Sequence, residues 1–307
     1  MANANDAGRT QQKLPNQLVT PNGLGIIINA ALSTGQTVDI PKNTTLNELY
    51  DVLQADSVGR KNGKDFTLGY YGIGIGGSRS IGQDANGLEG RRVYQHKAVD
   101  FGAFYPIPFV IRPIAEDIDP LVRDNYRMRV VRKVGNDIYA MYYLKKIGFE
   151  EFDPTMKVGE RDPANGNETE RPYVPKKEDL SPKPYELTST GNIPITNTYI
   201  NGTGKMDLSL NGNDLEEIRN VCRVLFGDAS KAAINEMYLA YGIETSNDGQ
   251  IANGGTVRYK ELQSACVSYH ITEAYARDAN ANSKMPWFFW YGNSLPLLVA
   301  PESVGNG

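Results

Sequence analysis

Ser268, His270 and Glu273 place the residue types of a hydrolytic relay in one short stretch. Such a relay needs a nucleophile, a base and an orienting acid within mutual hydrogen-bond reach. On a strand, positions 268 and 270 share a face and 273 does not. No G-x-S-x-G elbow is present to present the serine. The tract Gly72-Ile73-Gly74-Ile75-Gly76-Gly77 matches the dinucleotide fingerprint G-x-G-x-x-G. That fingerprint also requires a helix opening at the last glycine, because the helix N-terminus holds the pyrophosphate. Residues 78–90 instead carry Gly82, Asp84, Asn86, Gly87 and Gly90, which is turn chemistry. A glycine-rich strand against which another backbone packs closely is the better reading. Asp117 and Asp119 could touch a cation but are spaced as loop carboxylates beside Pro120. The chain has 2 cysteines, Cys222 and Cys266, and 2 histidines, His96 and His270. None are paired in sequence as zinc ligands are, and two cysteines cannot form a disulfide scaffold. No catalytic, cofactor-binding or metal-ligating residue is assigned on these grounds.

Arg123, Arg127, Arg129, Arg132, Lys133, Lys145 and Lys146 gather near Tyr139, Tyr142 and Tyr143. Aromatics among cations can bind single-stranded nucleic acid, but a solvated strand face or a subunit interface has the same composition. The net charge of −4 gives no global basic surface for nucleic acid. Nucleic acid is therefore not expected as a partner.

These residues must be positioned by strands more than by helices. The 307 residues, 40% of them hydrophobic, allow a sizeable core, and 31 glycines with 17 prolines suit a β-rich chain with many turns. Residues 66–71 read as a strand. Residues 126–145 alternate around Gly135-Asn136, the signature of a hairpin. Residues 256–276 alternate as a long strand or strand pair. Residues 24–32 form an apolar run that fits a strand or a buried helix. Thr45 and Glu48 make a capping box for a short helix. Asn213, followed by Asp214, Glu216 and Glu217, predicts a helix carrying Leu215, Ile218, Cys222 and Leu225 and ending at Gly227. A second helix, from Asp228 or Ser230 to Gly242, completes a helical hairpin. Cys222 on that apolar stripe reads as a buried small hydrophobe.

Residues 153–184 hold six prolines and many charges, and read as an extended loop or arm. The expected fold is α+β, mainly antiparallel β, with a β-sandwich-like core and an inserted helical hairpin. Its expected parts are 1–152, the arm 153–184, an inserted subdomain 185–244 and a second core part 245–307. Residues 1–13 read as a small polar tail. No apolar run approaches a membrane span, and no signal peptide is visible.

The small polar start, the YYGIGIGG segment, the VDFGAFYPIPFVIRP run, the Pro-rich excursion at 153–184 and the close SKMPWFFWYGNSLPLL resemble tailed-bacteriophage virion proteins. The pattern is similar to that of baseplate-wedge and tail or neck proteins of contractile-tailed phages. That resemblance implies a non-enzymatic scaffold in the virion, assembled in the host cytoplasm, whose partners are other virion proteins in a symmetric assembly, with no membrane and no cofactor. A head–tail connector or capsid-associated ring protein uses the same physics. A glycan-binding or hydrolytic tail-tip domain would need clustered surface aromatics with paired carboxylates. Tyr105, Phe109, Trp287 and Trp290 are the expected interface residues, together with the 153–184 arm.

Overall fold

The structure is a computed structural model that describes residues 17–52, 59–83, 85, 87, 89–182, 197–250, 254–280 and 284–296. The polar start at 1–13, the stretch 185–196 and the end of the expected last strand, 297–300, lie outside the described residues. The fold is α+β and mainly antiparallel β. It divides into two compact units, one from Met1–Ile147 and Leu210–Met285, the other from Gly148–Ser209 and Pro286–Gly307.

In chain order the first unit carries β1 (Gln17–Pro21), α1 (Gly23–Thr34), β2 (Thr37–Ile40), α2 (Leu46–Leu49), β3 (Gly59–Asn62), β4 (Thr67–Gly74), β5 (Ser78–Gln83) and β6 (Glu89–Val93). It continues with β7 (Pro106–Ile107), β8 (Val110–Pro113), α3 (Pro120–Arg123), β9 (Tyr126–Val134) and β10 (Asp137–Lys146). The second unit then contributes β11 (Thr155–Arg161), β12 (Glu168–Pro172) and β13 (Thr198–Asp207). The chain returns to the first unit for α4 (Gly212–Phe226), β14 (Ala233–Gln250) and β15 (Thr256–Asp278), and closes in the second with β16 (Phe288–Pro296).

The first unit is built on an 8-stranded sheet in the order β1-β15-β14-β4-β10-β8, with β7 beside β4 and β9 beside β10. Two small sheets, β2-β3 and β5-β6, fall between its strands in sequence, the first between β1 and β4 and the second between β4 and β7. The run 24–32 resolves as helix α1. Asn22 is its N-cap, accepting from the Leu24 amide, and Gly35 in the left-handed region ends it. Its buried face, Leu24, Ile28 and Ala31, packs with Phe66, Tyr241, Ile243 and Cys266. Thr45 caps α2 by accepting from the Glu48 amide, but the expected box is only half formed, because the Thr45 amide donates to the Lys42 carbonyl and the Glu48 carboxylate pairs with Lys42. The 126–145 hairpin forms with Gly135 at φ 61 in its turn, where a side chain would be strained.

The expected helical hairpin is corrected to one helix and one strand. Asn211 rather than Asn213 caps α4, in a reciprocal pair with Asp214. After a single 3₁₀ turn at Ala229–Lys231 the chain extends as β14. β14 is buried almost without interruption from Ile234 to Ile243. A strand covered on both faces loses the polar alternation that marks period 2. Ile234, Met237, Tyr238 and Tyr241 then mimic a helical stripe. The described residues of 185–244 are consequently divided, with β13 in the second unit and α4 and β14 in the first.

The second unit is a 4-stranded antiparallel sheet in the order β12-β11-β13-β16. The expected arm at 153–184 therefore contains a β-hairpin, β11 with β12, and is not a loop throughout. Its prolines fall where a ladder tolerates them, with Pro154 before β11 and Pro172 at the end of β12. Val158, Met206, Leu208 and Trp287 are the buried apolar residues among the described residues of this unit.

Candidate functional site

The chain's two histidines come together in the first unit. β15 carries His270 opposite Tyr238 of β14, and Glu236 of β14 lies opposite Gly74 of β4. Residues 94–105, between β6 and β7, bring His96, Asp100 and Phe104 over them. The His96 ring stacks between Phe104 at 3.8 Å and His270 at 3.7 Å, in both cases at 14°. His96 Nε2 lies 2.7 Å from Glu236 Oε1, and His96 Nδ1 lies 3.2 Å from Asp100 Oδ2. Both nitrogens face carboxylate oxygens, and only the imidazolium can donate to both. Glu236 is fully buried and also accepts the Phe104 amide at 2.8 Å and the Tyr105 amide at 3.3 Å.

His270 Nε2 donates to the Asp100 carbonyl at 2.9 Å, which leaves Nδ1 as a buried nitrogen without a hydrogen-bond partner. Burial pushes the His270 imidazole down to about 4, and the neighbouring His96 adds to the shift. Burial opposes ionisation of Asp100, but the Lys97 amide and His96 hold its carboxyl below the usual range. The Asn22 side chain donates to the Asp100 carbonyl as well, which ties the N-cap of α1 into the same cluster.

The glycine tract makes room for this cluster. A Cβ on Gly74 would lie 2.7 Å from Glu236 Oε2 and 2.8 Å from the Tyr105 carbonyl. Gly72 lies under the Tyr238 ring, and the Gly77 amide donates to Asn235 Oδ1 at 2.8 Å. β5 follows the tract where a dinucleotide site would need a helix. Close backbone approach, as expected from the sequence, accounts for Gly74 and Gly77, which meet the Tyr105 and Asn235 carbonyls, whereas at Gly72 it is the Tyr238 ring that leaves no room for a side chain.

His96, Glu236 and His270 place donor atoms within 4.8 Å of one another, and His with Glu is a donor set that zinc accepts. The ring geometry does not suit a metal. A metal about 2.1 Å from a ring nitrogen lies in that ring's plane, and these planes run nearly parallel, with centroids 3.7 Å apart. Both His96 nitrogens are also engaged by carboxylates. The cluster is a buried ionic clamp holding residues 94–105 against β14 and β15.

The other residues singled out by type are similarly committed. Ser268 Oγ donates to the Leu239 carbonyl, and Glu273 pairs with Arg277, so no relay forms with His270. Asp117 pairs with Arg129 and accepts from the Tyr142 hydroxyl, while Asp119 caps α3. The basic cluster is largely neutralised, with Arg123 on Glu261, Arg127 on Glu244 and Lys145 on Asp214. Both cysteines are buried, and burial pushes the Cys222 thiol to about 11 and Cys266 to about 12.

The four expected interface residues divide. Tyr105 and Trp290 are exposed at 49% and 56%, whereas Phe109 and Trp287 are at 1% and 2%. Phe109 packs edge-on against Tyr71 in the core of the first unit. Neither Phe109 nor Trp287 can meet a neighbour without repacking, and both are corrected to core residues.

The second unit presents an open concavity of ≈ 770 Å³ on one face of its sheet. Exposed Trp290 stands at one side of it. Tyr199, whose ring lies across Gly159, bridges two carboxylates there, Glu168 at 3.3 Å and Glu170 at 3.2 Å from its hydroxyl oxygen. Sequence reasoning missed this groove because residues 153–184 read as an arm.

Among helices of the described residues, none is long and apolar enough to cross a membrane. No curated protein matches the chain in sequence, and no solved structure matches it. The model of a family described as a family of unknown function, DUF7208, matches residues 8–305, and the chain belongs to that family.

Proposed function

We propose that the protein is a non-enzymatic structural component of a bacteriophage virion, a tail baseplate wedge protein that joins neighbouring subunits through an open sheet edge. The observation that carries this reading is β12 and the segment after it. Among the described strands β12 pairs only with β11, and all five of its residues are exposed. Beyond it Val174 and Leu180 are exposed at 76% and 82%. An unpaired strand edge is a template for a strand from another chain. Val174 and Leu180, in the segment that follows β12, offer exposed apolar side chains that a neighbouring chain could bury. The commitment of the histidines, cysteines and paired acids to buried or structural contacts supports the non-enzymatic part of the reading.

The test is the solution mass by light scattering, alone and with the proteins encoded beside it. The expected result is a defined complex with at least one neighbour. Val174→Asp combined with Leu180→Asp weakens that complex by at least about tenfold, as loss of apolar anchors does, and leaves unfolding unchanged. A chain indifferent to every neighbour overturns the proposal. A closed ring of this chain alone replaces it with a connector.

A further inference from the structure

The geometry points to a second binding site, and we infer that the open face of the second unit's sheet is a groove for a neutral oligosaccharide. Strand periodicity puts the relevant side chains on one face. In the ladder register Glu170 stands opposite Gly159, Gly159 opposite Tyr199, Lys157 opposite Asn201 and Asn201 opposite Ser294. Trp290 and Ser294 share that face of β16. All of these except Gly159, which the Tyr199 ring covers, line the ≈ 770 Å³ concavity, a volume in the range of small-ligand sites.

Charge and chemistry select the ligand. Lys157 lies 3.5 Å from Glu170, and Arg161 pairs with Glu168. Each carboxylate in the groove is therefore matched by a cation. A charged ligand of either sign would meet a like charge and displace an existing pair. A neutral polyhydroxyl compound would meet planar donors and acceptors with no such conflict. Asn201 Nδ2 donates to Glu170 Oε1 at 2.8 Å, and its Oδ1 is buried without a hydrogen-bond partner. Trp290 remains exposed although Lys157 Nζ lies over its ring, 5.4 Å from the centroid, and its indole is of the kind against which the C–H face of a sugar ring packs. Hydrolysis is not part of the inference. A general acid needs a raised carboxyl pKa, whereas hydrogen bonds from Asn201 and Tyr199 hold Glu170 below the usual carboxylate range even against desolvation.

The experiment titrates the full chain with maltohexaose, cellohexaose, chitohexaose and a mannohexaose, followed by calorimetry and tryptophan emission. Trp287→Phe serves as the background in which only Trp290 reports. At least one saccharide binds saturably with a Kd below about 1 mM, the weak end of specific affinity. Trp290→Ala weakens it by at least about tenfold, and Asn201→Ala weakens it as well. The Val174→Asp, Leu180→Asp variant binds like the parent, which separates this site from the subunit-joining edge. Absence of binding across the panel overturns the inference, as does binding unchanged by Trp290→Ala. Sialylated or sulfated hexaoses binding where the neutral ones do not would overturn it too.

Discussion

Glu236→Ala lowers the free energy of unfolding by about 3–5 kcal/mol, the range for removing one partner of a buried ion pair. Glu236 is fully buried and collects His96 Nε2 and the amides of Phe104 and Tyr105. Deleting the carboxylate leaves a buried imidazole and two amides without their acceptor, and each unsatisfied group carries its own desolvation cost. The alanine also removes what holds residues 94–105 over the sheet. Urea denaturation at pH 7 reads the effect. Glu236→Gln, which keeps one carbonyl acceptor, loses less. A loss below about 1 kcal/mol for Glu236→Ala would show that the clamp contributes no more than an exposed ion pair does.

Acidification is the second large effect, and its sign follows from His270. Its imidazole titrates at about 4 in the folded protein against an ordinary 6.5. Between those values the unfolded chain binds more protons, so stability rises with pH across the window. The contribution is complete above 6.5 and is lost as pH falls toward 4. Its size is about 3 kcal/mol at pH 4, from the gap between the two values. The groups facing His270 are His96, Asp100 and Glu236, and Asp100, whose carboxyl is held below the usual range, adds to the loss at the acid end as it protonates. His270→Gln isolates the histidine's share. The parent loses about 2 kcal/mol more than the variant between pH 7 and pH 5, where ordinary carboxylates are still ionised. Equal losses in the two proteins would contradict this assignment.

The parts of the fold legible in the sequence are those governed by local chemistry. The β9–β10 hairpin follows from alternation around Gly135, and α2 from the Thr45 cap. α4 is legible from its acidic first turn and from Gly227, with its start displaced because Asn211 takes the cap. The glycine tract is legible as a close-approach strand, although nothing local says what approaches it. β14 is not legible, because a strand buried on both faces carries no polar alternation. The histidine clamp is hidden for a related reason. His96 and His270 each look solitary, and Glu236 lies in a segment whose stripe reads as helix. The groove needs the register of four strands, of which Glu168, Glu170, Tyr199, Asn201 and Trp290 are distant members. Tyr105 and Trp290 differ from Phe109 and Trp287 only in burial, which aromatic character alone does not determine.

The subunit-joining edge is tested most directly by amide hydrogen exchange on β12 and residues 173–182, in the free chain and in the complex with its neighbours. β12 has an open side in the free chain, so its amides on that side exchange rapidly. A strand added by a neighbour slows them by at least about tenfold, corresponding to more than about 1.4 kcal/mol of protection. The expected result is that slowing at β12, with residues 173–182 slowed alongside it. Unchanged exchange there, in a complex that protects some other surface of the chain, would contradict it.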